Sequence, residues 1–173
     1  CNQILKKLSL NPNEEDEFID EDLRMADYLK EIVSSFKETS KKEFILDFEE
    51  DLNPKKITKS IEIIYGLRNF IGNANKFSNE KIFINLKSNE LNTQVIIEDD
   101  GEGFPGDIID KIGDPYLKSL KISQKSKSGL GLGMFIGKTL LEKNFALIKF
   151  SNSKKRGGAK INIEWKNNDL FNI

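Results

Sequence analysis

The chain has 173 residues, a length typical of one domain, and its 38% hydrophobic and 32% charged residues indicate a folded protein rather than a disordered or fibrous one. Its 27 basic and 28 acidic side chains nearly balance, so a surface for nucleic acid is not indicated. The chain has no histidine, which excludes histidine bases, histidine metal sites and a phosphohistidine formed within it. No apolar run approaches the roughly 20 residues that span a bilayer.

The first 20 residues are predicted to be a helix end followed by a linker, and residues 21–173 to be the domain itself. Ile4, Leu5 and Leu8 share one helical face, and this pattern stops at Asn11-Pro12, a pair that disfavours helix. The first residue is Cys1 rather than Met, so we expect that the segment comes from a longer protein.

Hydrophobic periodicity predicts helices and strands in the order of a two-layer α/β (α+β) sandwich. Apolar residues at helical spacing predict helices over 27–38, 60–78 and 131–143. Alternating apolar residues predict strands over 44–48, 82–86, 93–97, 147–150 and 160–165. Because consecutive strands read as hairpins, we expect a mixed, mostly antiparallel sheet that helices cover on one face.

The helix predicted over 60–78 carries three polar residues that a role in the core does not explain. Asn69, Asn73 and Lys76 occur at i, i+4 and i+7, within roughly 60° of one another and away from the apolar stripe. Amide oxygens suit Mg²⁺, and a lysine can neutralise phosphate. The trio therefore indicates either a metal-nucleotide site or an ordinary solvent-facing surface.

A second motif, Asp99-Asp100-Gly101-Glu102-Gly103, follows an apolar strand. It suits a carboxylate that accepts hydrogen bonds from a base while the backbone turns beneath it. Gly101, Gly103 and Gly106 also fit the spacing of the dinucleotide-binding fingerprint. Pro105, the lack of an acid over 117–128 and the flanking hairpins argue against that fingerprint, and a plain turn is the remaining alternative.

A third motif, Gly129-Leu130-Gly131-Leu132-Gly133, opens the helix predicted over 131–143. Its glycines would let backbone N–H groups converge on a phosphate at a helix N-terminus. Gly137-Lys138-Thr139 suggests a P-loop, but the spacing places Leu132 where the first P-loop glycine belongs. Close helix packing is the other explanation for these glycines.

In this order the motifs resemble those of the ATP-binding catalytic domain of sensor histidine kinases, over roughly residues 25–166. Asn69 to Phe77 resembles the N box, Asp99-x-Gly101-x-Gly103 the G1 box, Gly129-x-Gly131-Leu-Gly133 the G2 box, and Gly157-Gly158-Ala159 the closing glycine motif. The RegB/PrrB group of redox-responsive kinases is more similar still, on the segments Gly66-Leu-Arg-Asn69, Ile112 to Tyr116, and Leu132 to Glu142. Tyr116 stands where many kinases have Phe.

The resemblance implies the Bergerat ATP-binding fold and a site for ATP with Mg²⁺. Asp99 would bind the adenine amino group, Asn73 would ligate the metal, and Asn69 and Lys76 would support metal and phosphates. Residues 118–128 would be the ATP lid, in which Lys118, Lys121, Lys125 or Lys127 would reach the γ-phosphate. The other residues expected at the nucleotide are Phe77, Gly101, Gly103, Tyr116, Gly129, Leu130, Gly131, Leu132 and Gly133.

The function that the resemblance implies is transfer of the ATP γ-phosphate to a histidine on a separate dimerisation and phosphoacceptor domain. Asn69 stands where related ATPases have a water-activating Glu, and an amide cannot act as a base, so transfer is favoured over hydrolysis. The alternatives are a non-catalytic ATP-binding regulatory module and an ATPase of the same fold.

The resemblance also implies features beyond the domain. Residues 1–20 would end the phosphoacceptor helix, the full-length protein would be a homodimer acting on a response regulator, and this domain would be the cytoplasmic part of an inner-membrane sensor. Cys1 corresponds either to that group's redox-active cysteine or to an ordinary free thiol.

Overall fold

The computed structural model describes residues 23–49, 56–57, 60–107, 109–112 and 130–171. Its helices are α1 (Met25–Lys37), α2 (Ile61–Phe77), α3 (Leu130–Lys143) and α4 (Asn167–Leu170), with a 3₁₀ turn over Ile109–Lys111. Its strands are β1 (Glu43–Glu49), β2 (Lys81–Ser88), β3 (Asn92–Asp99), β4 (Leu147–Asn152) and β5 (Ala159–Lys166). The helices predicted over 27–38, 60–78 and 131–143 and the five predicted strands are confirmed, whereas the helix end and linker predicted over 1–20 and the lid predicted over 118–128 lie outside the described residues. Among the helices of the described ranges, none has the length and apolarity to cross a membrane.

The strands form one mixed sheet in the order β1-β2-β3-β5-β4. β1 and β2 are parallel and are connected through α2, while the other three pairs are antiparallel. β2–β3 and β4–β5 are the hairpins that the sequence predicts. The central β3–β5 pair aligns Glu98 with Lys160, so the end of β3 lies beside the beginning of β5.

The hydrophobic core lies between one face of the sheet and the helices. From the strands it takes the buried residues Ile82, Ile84, Leu86, Val95, Ile97, Ile161, Ile163 and Trp165. From α2 it takes Ile63, Leu67, Phe70, Ile71 and Ala74. The apolar stripe of α2 therefore faces the sheet, as its helical period predicts.

α2 and α3 approach each other closely at two glycines. A Cβ added at Gly66 would lie 2.5 Å from Leu141 Cγ, and one at Gly137 would lie 2.6 Å from Phe70 Cε1. Both distances are shorter than carbon–carbon contact permits, so the absence of a side chain is what allows this helix crossing. The helix with the predicted metal ligand is thereby packed directly against the helix with the predicted phosphate-binding turn.

Candidate nucleotide-binding site

Asp99 ends β3 with a buried carboxylate of which only one oxygen is engaged. Its side chain is 2% exposed, and Oδ1 accepts hydrogen bonds from the backbone N–H groups of Gly101 at 2.9 Å and Ala159 at 3.2 Å. Within the described ranges Oδ2 accepts no hydrogen bond. Burial raises the pKa of Asp99, although the two N–H groups oppose this shift. The second oxygen is therefore left for a donor from outside these residues.

The neighbouring acid, Asp100, has a structural role instead. Its Oδ1 accepts from the backbone N–H groups of Asn79 at 2.8 Å and Glu80 at 3.1 Å, at the start of β2. Partial burial alone would raise the pKa of Asp100, but the backbone donors, led by Glu80, lower it below its usual value. Of the two adjacent acids in the motif, only Asp99 keeps an oxygen free of this backbone network.

The turn between β4 and β5 contacts both the backbone and the carboxylate of Asp99. Gly158 N donates to Asp99 O at 3.0 Å, and a Cβ added at Gly158 would lie 2.0 Å from Asp99 Oδ1. The loop after β3 is equally close to α2, since a Cβ at Gly101 would lie 2.1 Å from Phe77 O. These two glycines let the turn, β3 and the end of α2 meet around one carboxylate.

The same turn is held from the opposite face of the sheet. Ser153 Oγ donates to Glu98 Oε2, and both residues are buried. The Arg156 guanidinium lies 3.8 Å from the centroid of the Phe83 ring, a cation–π arrangement. These contacts fix the turn that supplies the Ala159 donor to Asp99.

The predicted metal and phosphate residues of α2 lie on its C-terminal half. Asn69 is half-buried, and its Nδ2 donates to Tyr65 O at 2.8 Å. Asn73 is also half-buried, and its side chain makes no hydrogen bond within the described part of the chain. Lys76 is exposed, with Nζ 5.5 Å from the centroid of the Phe77 ring. The amide oxygen of Asn73 is thus half-buried and makes no hydrogen bond to the described residues, which leaves it available for the predicted role as a metal ligand.

The beginning of α3 lies beside Asn69. A Cβ added at Gly133 would meet Asn69 Oδ1 at 3.7 Å, an ordinary contact, so helix packing does not require a glycine there as it does at Gly137. Leu132 is 50% exposed. Leu130 and Gly131 are the first two residues of α3. The predicted site residues Tyr116, Gly129 and Cys1 lie outside the described ranges.

Two residues at the site belong to no sequence motif. Asn152, at the end of β4, bonds both backbone groups of Phe104 in the loop after β3, with distances of 2.7 and 2.8 Å. Lys42, just before β1, donates through Nζ to the backbone oxygens of Asn75 and, at 2.7 Å, Ser78, at the end of α2. Polar residues at strand ends are too common for either role to be read from the sequence.

A cavity of about 460 Å³ lies beside β4. It is lined by Ile109, Asp110, Ile112, Lys138, Ile148, Lys149, Phe150, Ser151, Lys160 and Asn162. It includes none of the predicted nucleotide ligands, so we locate the candidate site at Asp99, α2 and the start of α3.

Residues 58–169 match the family model described as histidine kinase-, DNA gyrase B- and HSP90-like ATPase. The chain belongs to this family. The family assignment predicted from the motifs is therefore confirmed, and with it the ATP-binding character of the domain.

Curated relatives include longer sensor kinases. The chain is 35% identical over 124 residues to the sensor histidine kinase RegB of Cereibacter sphaeroides, which covers 63% of this chain and 27% of RegB. It is 28% identical over 169 residues to the sensor protein kinase WalK of Staphylococcus aureus, which covers 92% of this chain and 39% of WalK. The chain thus spans well under half the length of these relatives.

Solved structures of histidine kinases share the fold. The mycobacterial sensor histidine kinase MprB matches with a TM-score of 0.67 at 18% identity, over 83% of this chain and 95% of that one. The catalytic domain of histidine kinase ThkA matches with a TM-score of 0.67 at 21% identity, over 83% of this chain and 95% of that one. The predicted fold class is therefore confirmed as that of histidine kinase catalytic domains.

Proposed function

We propose that this domain binds Mg-ATP and transfers its γ-phosphoryl group to a histidine outside the chain. The observation that carries the proposal is the half-engaged carboxylate of Asp99. A buried carboxylate with one oxygen on two N–H groups and the other unbonded is suited to accept a hydrogen bond from the amino group of adenine. That bond would compensate the cost that burial imposes on the charged form of Asp99.

The residues on α2 fit a magnesium ion that comes with the nucleotide. Mg²⁺ prefers oxygen ligands and is commonly bound by few protein groups together with substrate phosphates. Asn73 offers one half-buried amide oxygen with no hydrogen bond in the described residues. When bound, the ion would neutralise developing charge on the phosphates. Lys76 and Asn69 lie one turn to either side of Asn73 on the same helix and would support the phosphates.

The chemistry proposed is in-line phosphoryl transfer. A ring nitrogen of the partner histidine would supply the electron pair for the new bond to the γ-phosphorus, the bond from that phosphorus to the bridging oxygen would break, and ADP would leave. Asn69 would not activate water for hydrolysis, since its amide cannot take a proton and its Nδ2 is bonded to the Tyr65 carbonyl. This chain's contribution would be binding, positioning and charge neutralisation.

Calorimetry tests the binding half of the proposal. The wild-type chain should bind ATP and ADP in the micromolar range, about −6 to −8 kcal/mol. Asp99→Asn should remove binding, and Asn73→Ala should remove its dependence on Mg²⁺. Asn85→Ala is the matched control, because Asn85 lies on β2 among residues that face away from the helices. A folded wild-type chain that binds neither nucleotide would refute the proposal.

A histidine-bearing dimerisation domain added in trans tests the transfer half. With ATP labelled in the γ-phosphate, the added domain should acquire acid-labile label, and the chain alone, which has no histidine, should acquire none. Nucleotide binding without transfer to any such domain would favour the regulatory module instead. Steady hydrolysis by the chain alone would favour the ATPase.

The wider protein is proposed from the resemblance and from the longer relatives. It would be a homodimeric sensor kinase with a phosphoacceptor domain, a response regulator as its partner and a membrane-attached input region. Cys1 would make its output sensitive to oxidants. An oxidant response of the full-length protein that is unchanged in Cys1→Ala would refute that last point.

A further inference from the structure

The loop after β3 is hydrogen-bonded to the edge strand β4 through the side chain of Asn152. Asn152, the last residue of β4, accepts from Phe104 N through Oδ1 at 2.7 Å and donates through Nδ2 to Phe104 O at 2.8 Å. A primary amide carries a donor and an acceptor side by side, so it pairs with both backbone groups of one residue as a neighbouring strand would. The loop is thus joined to the sheet without a further strand.

Packing adds to this attachment. Gly103 has φ +80°, and a Cβ there would lie 2.7 Å from Asn152 Oδ1, so the amide lies directly against the Gly103 backbone. The Phe104 ring is 4% exposed and meets the Phe150 ring edge-on, with centroids 6.0 Å apart. Phe150 in turn packs edge-on against Phe70 of α2 at 5.8 Å. The far end of the loop therefore has one defined position relative to both β4 and α2.

The near end of the same loop holds the carboxylate. Gly101 N donates to Asp99 Oδ1 at 2.9 Å, and this bond fixes which oxygen faces the backbone. Phe104 is three residues further along, so a shift of Phe104 would move Gly101 N and rotate the carboxylate of Asp99. The side chain of Asn152 does not itself contact Asp99 in any of these bonds.

We propose that Asn152 is a positioning residue for recognition of the base: it holds the loop from Gly101 to Phe104 so that Asp99 presents Oδ2 to the adenine amino group. The inference rests on the nucleotide site proposed above. It adds a specificity role to an exposed residue outside the predicted motifs. Because this role concerns the base and not the phosphates, it makes a prediction about base discrimination that a general stabilising role does not make.

The test compares ATP with inosine triphosphate, which carries an oxo group in place of the amino group, by calorimetry at one Mg²⁺ concentration. The wild-type chain should prefer ATP. Asn152→Ala should lose about tenfold in ATP affinity, the equivalent of one or two hydrogen bonds, with little change for inosine triphosphate. Asn162→Ala is the matched control: it removes another side-chain bond of the sheet, from Gln94 Nε2 to Asn162 Oδ1 at 2.9 Å, away from the loop.

Asn152→Asp provides a second variant of the same shape. It keeps the acceptor for Phe104 N and loses the donor to Phe104 O, so the ratio of ATP to inosine triphosphate affinity should fall as in Asn152→Ala. If Asn152→Ala does not unfold cooperatively, the affinity ratio of Asn152→Asp tests the proposal in its place.

Equal losses for both nucleotides, or no loss, would overturn the positioning role while leaving the nucleotide site intact. A wild-type chain that binds neither nucleotide, or binds both equally, would instead remove the proposed adenine contact and this inference with it. A lower ratio of ATP to inosine triphosphate affinity in both Asn152 variants, with an unchanged ratio in Asn162→Ala, would support the inference.

Discussion

Replacing Gly158 with alanine should both destabilise the domain and remove nucleotide binding. The added Cβ would lie 2.0 Å from Asp99 Oδ1, 2.4 Å from Asp99 O and 2.6 Å from Gly101 N. Two of these atoms are backbone atoms, and Oδ1 belongs to a buried carboxylate that two backbone N–H groups hold, so a rotamer change does not relieve the clash. The turn must move away from β3.

The cost follows from the bonds that this movement breaks. They are the two bonds that join the turn to β3, from Gly158 N to Asp99 O at 3.0 Å and from Ala159 N to Asp99 Oδ1 at 3.2 Å. At about 1 kcal/mol for each hydrogen bond, the loss is about 2 kcal/mol, which lies within the range for overpacking a buried site. For a domain of this length, the midpoint of thermal unfolding should fall by about 6 °C.

Two other glycines in turns serve as controls in the same urea and thermal unfolding series. A Cβ at Gly106 meets nothing within 4 Å, so Gly106→Ala should stay within about 0.5 kcal/mol of wild type. Gly157 has φ +94° with open space around it, so Gly157→Ala isolates backbone strain, about 1 kcal/mol. Both controls should keep nucleotide binding. If Gly158→Ala unfolds with the Gly106→Ala midpoint, or binds ATP like wild type, the close contact between the turn and Asp99 is wrong.

Three further predictions concern the same region. Because burial raises the pKa of Asp99, the native state keeps the proton of this carboxyl to higher pH than the unfolded chain does. The free energy of unfolding of wild type, relative to that of Asp99→Asn, should therefore decline as pH rises above about 4. Urea unfolding of both proteins at several pH values measures this difference, and a difference that grows with pH contradicts the prediction. Over the same range wild-type ATP affinity should rise in calorimetry. Lys42→Met should lower the free energy of unfolding by about 1–2 kcal/mol, because it removes the ammonium group that binds the carbonyls at the end of α2. Lys41→Met, at an exposed position, should change the free energy of unfolding little. Equal denaturant midpoints for the two variants would refute this prediction. Gly137→Ala should cost about 2 kcal/mol, because its Cβ would lie 2.6 Å from the ring of the fully buried Phe70; a wild-type thermal midpoint would show that the helices can separate freely.

Local periodicity is sufficient to predict the longer helices and the strands of this fold, but not all of the strand pairings. The apolar stripe on α2 and the alternating apolar residues in β2, β3 and β5 arise because each element buries one face. The spacing of apolar residues in the sequence therefore predicts these elements. The parallel pairing of β1 with β2 and the place of β5 between β3 and β4 depend on contacts between distant segments. The four-residue α4 is too short for its period to be recognised.

The same distinction applies to the site. Asp99 and Asn73 lie in motifs with characteristic neighbours, and their positions could be predicted, while their roles toward ATP stay predictions. The bonds that orient the site join Asn152 to Phe104 across 48 residues and Ala159 to Asp99 across 60 residues. Such bonds depend on the folded geometry and leave no local pattern.

The two backbone N–H groups that donate to Asp99 Oδ1, those of Gly101 and Ala159, should reach it at different stages of folding. Gly101 is two residues away, whereas Ala159 is 60 residues away, across the β3–β5 seam that also pairs Asn92 with Lys166. Hairpins such as β2–β3 close short loops, but this seam closes a long one and should form late. A fluorescent nucleotide present during refolding should therefore bind only after the hairpins have formed, and its signal would report the joining of the two halves of the sheet.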